Sequence, residues 1–84
     1  MKIAIYYNNG EVEKRDALAF FFRGEANHEN VETKYFNAEG FVYRDNGRYY
    51  YEAWDNTLCL GNYLGVLNFV ENMRALGFTC EFVQ

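Results

Sequence analysis

The chain of 84 residues contains no serine and no proline, only two cysteines, and one histidine. Without serine, every serine-based nucleophile is excluded. With one histidine, His28, no pair of imidazoles can share a metal. No stretch approaches the roughly 18 apolar residues that cross a bilayer as a helix. Nothing after Met1-Lys2 reads as a signal peptide, because the apolar run is short and Tyr, Asn and Glu soon follow. A cytoplasmic protein with reduced cysteines is expected. Asn8-Asn9-Gly10 holds a single glycine, so a phosphate-cradling loop is absent. Positive charge is also scarce. Eight Lys/Arg stand against 12 Asp/Glu, net charge −4, which disfavours direct binding of nucleic acid.

What is present is hydrophobic and aromatic. Half of the residues are apolar and 20% are Phe, Trp or Tyr, so the chain is no disordered tail. Its length suffices for one small core, hence a single domain over 1–84. Acidic and basic residues are spread evenly, with no charged arm at either end.

Residues 2–7 read as a strand. Residues 11–23 are rich in Glu, Lys, Arg, Ala and Leu and read as a helix stopped by Gly24. Residues 25–30 form a polar loop, and 31–36 alternate as a strand. Asp45-Asn46-Gly47-Arg48 is the strongest local signal. Asn-Gly between aromatic-rich runs favours a type I′ hairpin turn joining strands 41–45 and 48–54. With Asn46 and Gly47 central, Arg44 faces Tyr49, Tyr43 faces Tyr50, Val42 faces Tyr51 and Phe41 faces Glu52. Leu60, Leu64, Leu67 and Leu76 recur at helical spacing, predicting a helix over 60–76, capped by Asp55, Asn56, Thr57 or Asn62 and ended by Gly77. Residues 78–83 alternate as a last strand. The order β-α-β-β-β-α-β predicts an α+β two-layer sandwich, a ferredoxin-like variant with an antiparallel or mixed sheet and two helices on one face.

In that arrangement Ile3, Ile5, Tyr7, Val42, Tyr51, Ala53, Phe78, Cys80 and Phe82 face the helices. The other face shows Phe41, Tyr43, Tyr50, Glu52 and Trp54, beside Asp45 and Asp55. Tyrosine and tryptophan combine an apolar body with a polar tip and are common interface anchors. The candidate partner-binding residues are therefore Tyr43, Asp45, Tyr50, Glu52, Trp54 and Asp55. The plainer reading is that aromatic cross-strand pairs stabilise a two-sided sheet.

Chemistry finds little support. Cys59 and Cys80 read as buried or structural thiols, with no base placed beside them. Glu25, His28 and Glu29 lie in one loop without a ligand spacing, so neither a metal nor a cofactor is expected. Gly61 and Gly65 either admit a close backbone or mark a helix that starts near Asn62. An aromatic sheet face also suggests RNA-binding domains, yet their basic-aromatic signature is missing.

In size, acidity and its Tyr/Asn-rich, Ser/Pro-free composition, the chain resembles small phage-encoded inhibitors, anti-CRISPR and other anti-defence proteins. That resemblance implies a non-enzymatic inhibitor, whose carboxylates stand where phosphates would on a basic, nucleic-acid-handling protein partner. The alternatives are a homodimeric accessory subunit burying the aromatic face, a small RNA-binding-like open-sheet domain, and a small enzyme using His28 or Cys59.

Overall fold

The computed structural model describes residues 2–6, 9–23, 38–53 and 56–83. Among these described residues, six strands form one antiparallel sheet: β1 (Lys2–Tyr6), β2 (Val12–Arg23), β3 (Gly40–Asp45), β4 (Arg48–Ala53), β5 (Asn56–Gly61) and β6 (Phe78–Phe82). One helix, α1 (Tyr63–Ala75), lies between β5 and β6 among the described residues. Strands β1 to β5 are neighbours in sequence order, and β6 returns to pair with β2. β1 pairs with Val12–Asp16, β6 with Ala19–Arg23, and β3 with the overlapping stretch Asp16–Phe21. A strand has only two edges, so β1 and β6 lie end to end along one edge of β2.

This architecture corrects the expected two-helix, ferredoxin-like sandwich, because residues 12–23 are a strand rather than the first helix. The reason is burial. Ala17 to Phe22 are all buried, on both faces of the sheet. Burying one phenylalanine contributes about 1.5–3 kcal/mol. Helix propensity separates ordinary residues by no more than about 0.7 kcal/mol each. Three consecutive phenylalanines outweigh the helix-forming Glu, Lys and Arg before them. Strand β5 is a second correction, since its residues were expected to approach and cap a helix. The predicted loop 25–30 and strand 31–36 lie outside the described residues.

The β3–β4 hairpin follows its expected register throughout, from Gly40–Ala53 to Asp45–Arg48. Asn46 and Gly47 have φ of 51° and 81°, the positive values that a type I′ turn requires. Helix α1 begins later than the leucine spacing suggests. Asn62 caps it, its Oδ1 accepting from the Gly65 N–H at 3.1 Å. A Cβ at Gly65 would collide with the carbonyl oxygen of Leu60, so the turn from β5 into α1 needs glycine there.

The sheet has two apolar faces. Under α1, Leu18, Ala19, Phe21, Val42 and Tyr51 pack with Val66 and Val70, and Ala53, Cys80 and Phe82 border them. Phe21 meets Tyr51 and Phe69 edge-on, with ring centroids 5.4 and 5.5 Å apart. On the opposite face Ala17, Phe20 and Phe22 pack with Ile3, Phe41, Ala38 and Val83. Val42, Tyr51, Ala53, Cys80 and Phe82 thus lie on the expected side. Ile3 does not, because β1 pairs with the amphipathic half of β2 and its alternation follows Arg15 there. Tyr7 is outside the described residues.

Truncating the residue at the centre of this packing should cost most. Phe21→Ala is expected to lose about 3–5 kcal/mol in urea unfolding. Gly65→Ala should lose about 1–3 kcal/mol through overpacking. Equal, small losses for both would contradict the two-faced burial of β2.

Candidate functional site

The hairpin β3–β4 and the first half of β2 build one polar-aromatic surface on the face away from α1. Three aromatic rings run across it. Phe41 lies 5.7 Å from Tyr43, and Tyr43 stacks on Tyr50 at 5.5 Å with an interplanar angle of 22°. Phe20 extends the row, 5.9 Å from Phe41. The hairpin register produces this, since Tyr43 and Tyr50 are directly opposed and their side chains must share a face.

Arg15 closes one side of the row. Its guanidinium sits 5.1 Å from the Tyr43 ring centroid and pairs with Glu13. Burial lowers its proton affinity, but hydrogen bonding to Tyr43 and the charge of Glu13 outweigh this, so its pKa is raised. Burial pushes the Tyr43 hydroxyl up; Arg15 opposes this and the Glu52 carboxylate adds to it. Tyr43 itself is only 5% exposed. It is therefore the base of the surface, and Tyr50 is its half-exposed ring.

Glu52 sits between β3 and β5, opposite Phe41 and Thr57. Thr57 donates to its Oε1 at 3.3 Å. Its other oxygen, Oε2, is buried and has no hydrogen-bond partner among the described residues. The Arg15 Nε is buried and unpaired in the same way. A buried, unsatisfied polar atom costs about 1–3 kcal/mol, and more when charged.

Of the six residues expected to bind a partner, four are placed. Tyr43, Tyr50 and Glu52 come together on one face. Asp45 is exposed at the end of the hairpin, flanked there by the exposed Arg44 and Arg48, so the tip carries both signs rather than acid alone. Trp54 and Asp55 lie outside the described residues, as do Glu25, His28 and Glu29. Sequence reasoning missed Arg15, Glu13 and Thr57. The first two were assigned to a helix; their alternation with the exposed Lys14 was the available signal.

The cysteines are both free. Cys80 packs against the core under α1, and burial raises its thiol pKa against the lowering effect of Arg74. Cys59 is exposed on β5, opposite Tyr50, rather than buried. Among the described residues no three His, Cys, Asp or Glu side chains group as metal ligands. No helix among them is long and apolar enough to cross a membrane. No protein-family model, curated protein or solved structure matches this chain.

The tyrosines make stability depend on alkaline pH. Burial raises Tyr43 and Tyr51 above the ordinary value of 10.0, and Glu39 adds to the shift at Tyr51. The folded state thus prefers both hydroxyls neutral. The stability they contribute is complete below that ordinary value and is lost as pH rises through the raised ones. Tyr43→Phe removes one of these groups, so guanidinium unfolding between about pH 10 and 12 should show a shallower loss than in the parent. An unchanged slope would place Tyr43 in solvent.

Proposed function

We propose that this chain is a non-enzymatic inhibitory binding protein of the cytoplasm, acting by steric and electrostatic blockade of a basic, nucleic-acid-handling protein. The observation that carries this reading is the half-exposed Tyr50, stacked on Tyr43 on a hairpin that ends in the exposed Asp45 and shares its face with Glu52. An exposed carboxylate such as Asp45 accepts from an incoming arginine or lysine, and such charge-assisted bonds are roughly twice as strong as neutral ones. Tyr50 supplies the adjoining apolar contact, with Tyr43 stacked beneath it so that little side-chain freedom is lost on binding. Glu52, half-buried beside this ring, adds negative charge to the same face.

The composition supports the same direction. Net charge −4 steers the chain toward basic surfaces and away from phosphate. Base stacking on the sheet, as in open-sheet RNA-binding domains, is disfavoured because Tyr43 and Phe20 are 5% and 3% exposed and offer no free ring face.

Capture with the tagged protein should enrich basic nucleic-acid-binding proteins at low salt and lose them at high salt. Tyr50→Ala and Glu52→Gln should each weaken the captured complex by about tenfold or more while leaving the fold intact. Unchanged affinity in both folded variants would overturn the assignment of this face.

A further inference from the structure

A second surface lies at the outer edge of β5, adjoining the hairpin face. β5 pairs only with β4 among the described strands, and Asn56, Thr57, Leu58 and Cys59 are all exposed. An edge like this presents unpaired N–H and C=O groups, and proteins usually protect it with charge, proline or a cover. On the far side of the sheet, β1 and β6 carry Lys2 and Glu81. β5 carries nothing of the kind. From Asn56 through Val70 there is no Asp, Glu, Lys, Arg or His, although 20 of the 84 residues are charged.

That uncharged run forms a contiguous tract in space as well, because β5 leads directly into the first turns of α1 and packs beside it. It supplies Leu58, Tyr63, Leu64 and Leu67 at 46%, 46%, 68% and 44% exposure. Elsewhere, only Val12 and Leu76 are large and comparably exposed among the described residues.

We propose that the occupant of this edge is a second copy of the chain, paired antiparallel, β5 against β5, with Cys59 at the two-fold axis. Charge permits this occupant along the edge, and the strand's own symmetry selects it. Two copies of net charge −4 repel across most of their surfaces, yet along residues 56–70 they meet without burying any charge. A strand paired with itself is self-complementary, as a two-fold interface must be. Centring on Cys59 sets Leu58 of each copy opposite Leu60 of the other. Leu60 borders the core under α1, so these leucines extend that core across the axis. Tyr63, 5.9 Å from the Tyr49 ring, closes the inner side of this leucine layer. A standard interface takes about 800 Å² per partner, a modest share of the 6036 Å² surface.

The test uses the purified full chain alone, so it stands or falls separately from the inhibitor reading. Sedimentation of the reduced protein should give twice the 9.9 kDa monomer mass. Leu58→Lys should raise the dimer dissociation constant by about tenfold or more, with an unchanged circular dichroism spectrum. Val12→Lys, at the other end of the sheet, should leave it unchanged. In a Cys80→Ala background, diamide should oxidise the facing Cys59 thiols to one intermolecular disulfide and be reduced to the hydrazine. Cross-strand Cα atoms about 4.5–5.5 Å apart are within reach of that bond. A monomer at all concentrations, a dimer insensitive to Leu58→Lys, or a dimer without the Cys59 crosslink would each overturn the proposal.

Discussion

The fold depends on the double burial of β2. Strands that face water on one side alternate polar and apolar residues, but β2 carries Ala17-Leu18-Ala19-Phe20-Phe21-Phe22 through the middle of the sheet without a polar position. Phe21 anchors the layer beneath α1, and Phe20 and Phe22 anchor the opposite layer. Three strands pair with this one, so the two cores are joined through a single backbone. A register slip of one residue would exchange Phe21 with its neighbours and disrupt both layers at once. The irregularity between Ala17 and Ala19 fits this constraint, because it lets Leu18 and Ala19 both reach the layer under α1.

The parts of the fold that could be read in the sequence are those set by local chemistry. Asn46-Gly47 permits one kind of tight turn, and that turn dictates every pair of the hairpin. Gly77 ends α1 where expected, since its φ of 98° continues no right-handed helix. The part that misled was the segment whose local preference and tertiary environment disagree. Glu13, Lys14 and Arg15 favour a helix as monomers. As a helix, however, Leu18 and Phe20 would project about 200° apart, leaving one of them in water. Six consecutive apolar residues encircle a helix but fill both faces of a central strand. β5 was illegible for a different reason. Thr57-Leu58-Cys59-Leu60 has strand composition, but Leu60, Leu64 and Leu67 are also spaced as a helix, and only Asn62 at the cap decides where one gives way to the other.

The candidate site was legible in its residues and only partly in its arrangement. Tyr43, Tyr50 and Glu52 share a face because the hairpin register puts them there. Which tyrosine is exposed depends on Arg15, which reaches Tyr43 from a strand that was read as a helix. Arg15 changes the meaning of the cluster. A row of free aromatic rings would suit flat ligands. A row with its central ring stacked and capped by a guanidinium leaves Tyr50 as the ring with an accessible part instead.

The hairpin face and the β5 edge follow from one feature of the charge distribution. Acid elsewhere on the chain repels a second copy, while the uncharged stretch from Asn56 to Val70 interrupts that repulsion. Glu52 and Thr57 lie on adjacent strands at the boundary between the two surfaces, and they share a hydrogen bond. Pairing β5 with a second β5 would continue the sheet past Thr57 and fix its side chain. The acceptor geometry of Glu52 would then be held by two copies rather than one. In that assembly the two hairpins point in opposite directions across the axis, and each copy keeps its own Tyr50 half-exposed.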